Sequence, residues 1–271
     1  MKTINNLPVY TMNSYSLPAL EDGLLYHYTN FDSLLKILSS LSLLPSGFSK
    51  LNDLSEGQIY IADYEKMFEL EDEIDKCSIL CFCKNYFRDG TIHEGTNHPR
   101  SWAQYGENCK GACIVIRKDD FIKVNEDRLS RMPFYFIDKI DYVSYNFANE
   151  FENLSTEDDN LSSIEFIKKY HNNLFYRKYA DWKDEDEVRM LLYGLEKDEM
   201  LSLDGAIDSI CLGPKLLQDD ERLSSLKAVL NNPDKKCYKK FIPQSFSTVA
   251  SSSSGYMTDG VLAASKMTGL D

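Results

Sequence analysis

Apolar positions along this chain repeat with two different periods, and the switches between them outline its elements. Gly23-Leu24-Leu25-Tyr26-His27-Tyr28-Thr29 reads as a short strand. Thr29 or Asn30 then caps a helix whose apolar face is Leu34, Leu35, Leu38 and Leu41, at three- and four-residue spacing. Pro45 and Gly47 close that unit. Asp53-Leu54-Ser55-Glu56 has capping-box spacing, which predicts a second, acid-rich helix ending near Asp75. Cys77 to Cys83 is a buried strand candidate. Residues 84–100, with Gly90, Gly95 and Pro99, read as a loop. Ser101 to Tyr105 begins a short helix, and Gly111 to Ile116 is another strand.

The second half continues in the same mixture. Pro133 precedes an apolar run, Phe134 to Ile137, and Lys139 to Val143 alternates polar with apolar. Residues 147–161 are acidic and polar and read as an exposed loop. Ser162 to Tyr179 is predicted helical, with Ile164, Ile167, Leu174 and Phe175 on one side. Strands follow at Glu187–Tyr193 and Ser209–Leu212, then a helix after Gly213-Pro214 and a strand near Lys236–Ile242. From Ser245 a serine-rich tail runs to Asp271. Single helices alternate with single strands without a regular strand–helix–strand beat, so the expected class is α+β. The expected organisation is an irregular lead-in over 1–22, one domain over 23–244 and the tail over 245–271. The domain should hold a mixed, mostly antiparallel sheet, or two small sheets, flanked by helices.

Composition narrows the function classes. The 271 residues are 43% hydrophobic, enough for a sizeable core. With 43 acidic and 30 basic residues the formal net charge is -13, which repels phosphate backbones and anionic lipid heads. A large nucleic-acid or membrane footprint is therefore not expected. The dense basic run Lys235-Lys236-Cys237-Tyr238-Lys239-Lys240 reads as a balance to the acidic remainder. The N-terminus lacks a basic stretch followed by an apolar one, and no apolar run approaches a bilayer span. Seven cysteines, most of them in apolar runs, read as reduced thiols, so the expected compartment is the cytoplasm.

Chemistry could reside in three places. Along a strand, Glu185, Glu187 and Arg189 would share one face, with Val188, Met190 and Leu192 turned to the core. The plain alternative is a solvated face with an ion pair worth little. The sharper one is a catalytic carboxylate held by Arg189. His27 sits mid-strand with Thr29 on its own face. It is either a structural histidine or an imidazole that orients a ligand. Trp102 and Tyr105, three apart on a short helix, either pack into the core or form a stacking wall for a planar ring. His171 falls on the apolar side of its helix and reads as structural. Cys81, Cys83, Cys109 and Cys113 with His93 and His98 fit no common zinc spacing, so no metal is expected. No phosphate-binding glycine loop and no nucleophile elbow is present.

Several of these elements together resemble one family. Leu25-Tyr26-His27-Tyr28-Thr29 followed by an apolar helix looks like the opening of the DUF2971 family of uncharacterised, mostly prokaryotic proteins. Leu51-Asn52-Asp53-Leu54-Ser55-Glu56 resembles its N-D-P-x-E element, with Leu54 where the family often has proline. Ser101-Trp102-Ala103-Gln104-Tyr105-Gly106 with Lys110-Gly111-Ala112-Cys113-Ile114 resembles its W-x-H-Y and K-G-x-x-I block, with Gln104 where histidine is common. Lys178, Trp182, Glu185, Glu187 and Arg189 resemble its closing K…W-x-x-E-x-E-x-R element, and Gly213-Pro214 fits as well. The match spans about residues 24–240.

The family looks distantly similar to the ADP-ribosyltransferase fold, and that resemblance implies an NAD site. His27 and Thr29 would hold the ribose, and Trp102 or Tyr105 would wall the nicotinamide. Glu187 would be the catalytic carboxylate, Glu185 would assist the acceptor, and Arg189 would orient both. NAD would be the substrate, and the acceptor would be a protein or a nucleic acid. An enzyme of this kind could serve as a toxin or a phage-defence effector. Two rival expectations stand beside it. One is a non-catalytic module that keeps the fold and binds a nucleotide or a partner protein. The other is a metal-dependent nucleotide hydrolase, which would need Asp53, Glu56, Glu185 and Glu187 close together.

Overall fold

The structure is a computed structural model that describes residues 2–4, 7–9, 23–48, 64–144 and 161–230. In chain order the elements are β1 (Lys2–Ile4), β2 (Leu7–Val9), β3 (Leu24–Thr29), α1 (Phe31–Ser40), β4 (Ser42–Leu43), β5 (Ser46–Gly47), α2 (Tyr64–Ile74) and β6 (Cys77–Cys83). There follow β7 (Tyr86–Arg88), β8 (Thr91–His93), α3 (Pro99–Gln104), β9 (Ala112–Arg117), α4 (Lys118–Val124), α5 (Glu126–Leu129), β10 (Tyr135–Lys139) and β11 (Asp141–Val143). The last are α6 (Ser163–Phe175), β12 (Arg177–Tyr179), a 3-10 turn (Ala180–Glu185), β13 (Glu187–Tyr193), β14 (Leu201–Ser202), β15 (Ile207–Leu212) and α7 (Asp220–Leu230). The class is α+β, as the mixed element order predicts, and its sheet is mostly antiparallel. The β11–β12 pair is parallel.

The chain divides into two compact units interleaved in sequence. One draws on residues 1–41, 83–121 and 203–271, the other on 42–82 and 122–202. In the first, β9 lies between β3 and β15, antiparallel to both, and Cys83 pairs with Tyr26 on the other edge of β3. One face of these strands carries Tyr26, Tyr28, Cys83, Cys113, Val115 and Cys211, all buried around Trp102. Asn30 caps α1 by accepting from the Ser33 N–H, and Phe31, Leu34, Ile37 and Leu38 form its buried face. Ile37 thus takes the place expected for Leu35.

In the second unit β13 pairs antiparallel with β10, from Tyr135↔Leu192 to Lys139↔Val188, and has β6 as its other neighbour. Helices α2 and α6 pack on it through Leu70, Ile74, Phe166, Ile167, Leu174 and Phe175. A capping box starts α6: the Ser162 hydroxyl and the Glu165 carboxylate each bond the other residue's backbone N–H. That helix ends at Phe175, and Arg177–Tyr179 turns out to be strand rather than more helix.

Two stretches differ from the expected pattern. Residues 84–100 contain the hairpin β7–β8, because Asp89 and Gly90 both take positive φ (51° and 76°) and close a tight primed turn. Residues 118–129 form α4 and α5. The expected capping box at Asp53, the loop over 147–160, the strand near Lys236–Ile242, the basic run Lys235–Lys240 and the boundaries at 22 and 244 lie outside the described residues, as does the tail over 245–271. Among the described residues no helix is long and apolar enough to cross a membrane.

Candidate functional site

The residues that resemble the closing family element gather in the second unit, around Glu187. Strand β13 begins at Glu187, while Glu185 ends the preceding 3-10 turn. Between them Asp186 adopts a left-handed conformation (φ 44°, ψ 47°) that acidic and amide side chains tolerate better than most. Glu185 is therefore not on the strand, as the alternation predicted. The Asp186 corner nonetheless returns its carboxylate to the side of Glu187. Strand β12 supplies the link: Lys178 Nζ lies 2.8 Å from Glu185 Oε2 and 3.2 Å from Glu187 Oε2. The Lys178 ammonium also sits 4.8 Å from the ring centre of half-buried Trp182, on the 3-10 turn.

Arg189 takes the other oxygen. Its Nε and Nη2 both lie 2.9 Å from Glu187 Oε1, and its Nη1 donates to the Phe175 carbonyl at 2.7 Å. That carbonyl belongs to the last turn of α6, where a cation is favoured. The backbone N–H of Glu187 donates to the Tyr142 hydroxyl at 2.9 Å, and the Cys81 thiol donates to its carboxylate.

This cluster is not the solvated face weighed from sequence. Glu185 is 3% exposed, Glu187 4%, Lys178 4% and Arg189 1%. Both faces of β13 are buried, and Leu191 and Tyr193, which follow Glu187 and Arg189 at two-residue spacing, belong to the helix-covered core. Burial opposes charge on Glu187, but the Arg189 guanidinium and the Lys178 ammonium outweigh it. Hydrogen bonds from Arg189 and Cys81 add to them, and the carboxyl is lowered to about 2. Glu187 is therefore a carboxylate at any ordinary pH, fixed in position by one cation on each oxygen.

The expected ribose and nicotinamide groups lie in the first unit and do not share a face. Tyr28 meets Trp102 edge-on, with ring centres 5.0 Å apart and planes at 89°. His27 follows Tyr26 and precedes Tyr28 on β3, so it points to the opposite face, as does Thr29. Trp102 is wholly buried, its ring N–H donating to the Thr96 carbonyl at 2.8 Å, and Tyr105 packs half-buried against the same cluster. Of the two residues expected to wall the nicotinamide, Trp102 or Tyr105, Trp102 thus lies on the face of β3 opposite His27. Trp102 is a core side chain because its one polar atom is already satisfied inside. His27 is half-buried and Thr29 is 6% exposed.

Lys178, Tyr142 and Cys81 were not expected as partners of Glu187. Lys178 carried a motif signal but no role, because nothing in the spacing shows that β12 runs beside the carboxylates. Tyr142 read only as an apolar position in an alternating run, and Cys81 as a small core thiol. Among the described residues no three His, Cys, Asp or Glu side chains gather as a metal ion requires. Asp53 and Glu56, on which a metal-dependent hydrolase would rest, lie outside the described residues.

No curated protein and no solved structure matches the chain. Residues 101–190 match the sequence model of the family described as "Protein of unknown function (DUF2971)". That span holds the whole Lys178–Glu185–Glu187–Arg189 cluster, and over it the chain is similar to the DUF2971 family.

Proposed function

We propose that this protein cleaves the nicotinamide–ribose bond of NAD and transfers ADP-ribose, with Glu187 as the catalytic carboxylate. The observation that carries the reading is the state of Glu187: an ionised carboxylate held by Arg189 on one oxygen and Lys178 on the other. Loss of nicotinamide builds positive charge on the ribose carbon. A carboxylate that cannot protonate and cannot swing away stabilises that charge without reorganisation. Glu185 would receive the acceptor, Arg189 would orient Glu187, and His27 with Thr29 would hold the ribose.

The cluster is closed. No charged member is more than 5% exposed in its side chain. In this reading the 3-10 turn Ala180–Glu185, which carries Glu185 and sets Trp182 against Lys178, is the part that moves to let NAD reach Glu187. Incubation with NAD labelled in the nicotinamide ring tests the reading. Release by wild type and its loss in Glu187→Gln is the expected result.

The same closure favours a second reading. If the turn stays shut, the cluster is an internal fastening and the chain is a binding module for a nucleotide or a partner protein. The burial of Trp102 away from His27 favours this as well. NAD would then bind, if at all, without release of nicotinamide. Glu187→Gln would change stability alone.

A further inference from the structure

We propose that Lys178 is a positioning residue that joins Glu185 and Glu187 into one unit, so that the charge and aim of Glu187 depend on it. The inference rests on the NAD-cleaving reading for its function, but its geometry does not. Arg189 is committed to Glu187 Oε1 and to the Phe175 carbonyl. Lys178 alone of these two cations reaches both carboxylates, at 2.8 Å and 3.2 Å.

Two buried carboxylates on one site repel each other, and the usual relief is that one takes up a proton. The ammonium between Glu185 and Glu187 removes the need. Its position is itself over-determined: the short strand β12 pairs Lys178 with Tyr142, whose hydroxyl accepts from the Glu187 N–H, and Trp182 lies against the ammonium. Among the described residues, the titratable and charged groups facing Glu187 are Lys178 from β12, Glu185 from the 3-10 turn, Arg189 from β13, Tyr142 from β11 and Cys81 from β6. Tyr176 interacts with Arg189 and with Asp138 on the same side. None of these besides Arg189 and Lys178 is a cation. A division of labour follows. Arg189 ties Glu187 to the scaffold through α6, and Lys178 ties it to Glu185 and to the turn that carries Glu185.

The test uses the full chain carrying glutamate labelled with 13C at the carboxyl carbon. In wild type the Glu187 carboxyl should stay ionised from pH 7 to below pH 4. In Lys178→Met its titration should move upward by roughly one pH unit or more, and Lys178→Arg should restore it. The acid limb of nicotinamide release should move with it, with kcat falling more than KM rises. A purely structural lysine would lower the folded fraction without moving either titration. An unmoved Glu187 titration in folded Lys178→Met overturns the proposal. If that variant does not fold, the 15N signal of the wild-type Lys178 ammonium decides. Slow hydrogen exchange and a shift in both Glu185→Gln and Glu187→Gln support the bridge. A signal like that of exposed lysines overturns it. Absence of nicotinamide release from wild type defeats the NAD reading and leaves the carboxyl titration to decide the role of Lys178.

Discussion

At the scale of the residue, the sign of one pKa governs the behaviour. The Glu187 carboxyl is lowered to about 2 in the folded chain, below the usual carboxylate range it regains on unfolding. A group with a depressed folded pKa contributes stability above its unfolded value and loses it as pH falls toward the folded one. Stability to urea should thus be flat in this contribution above about pH 5 and decline between about pH 4.5 and pH 2. In Glu187→Gln the decline over that window should be shallower. The variant should also be less stable at pH 7 by about 3 kcal/mol, since it leaves Arg189 and Lys178 buried without their shared anion. Urea titrations of both proteins at a series of pH values check this. Equal slopes would remove Glu187 from the account of acid sensitivity.

At the scale of the element, close backbone approach and caps make the sharpest predictions. A Cβ on Gly111 would lie 2.1 Å from the Thr29 carbonyl oxygen, where β9 begins beside the end of β3. Backbone cannot yield there as a flexible side chain can, so Gly111→Ala should cost more than about 2 kcal/mol in thermal or urea unfolding. Ser162→Ala removes one half of the α6 capping box and should cost about 1 kcal/mol. A loss below a few tenths would mean that the start of α6 adds little. These elements also show what the sequence could disclose. The strand at 24–29, the helix after Asn30, the buried strand at 77–83 and the strand at 187–193 each follow from period and caps. The hairpin at 86–93 was legible too, since Asp89-Gly90 is a strong turn signal. The strand at 177–179 was not legible, because its apolar spacing continues that of α6.

At the scale of the whole molecule, what sequence withheld is adjacency. Glu187 and Arg189 could be placed together two residues apart on one strand. That Lys178 runs beside them on a separate short strand, or that Trp102 packs against the face of β3 opposite His27, depends on packing across the sheet. Two units interleaved in sequence make such pairings longer in range than any local signal. The acidic balance of -13 has a consequence at this scale as well. It repels the phosphates of NAD until local groups offset it, so any binding of NAD should strengthen as salt is added to low-salt buffer. The measurement that bears most directly on the account is the release of labelled nicotinamide from NAD, compared between wild type and folded Glu187→Gln. Release by wild type, reduced about 100-fold or more in Glu187→Gln, is the predicted result. Equal release by the two proteins, or none by wild type, would contradict it.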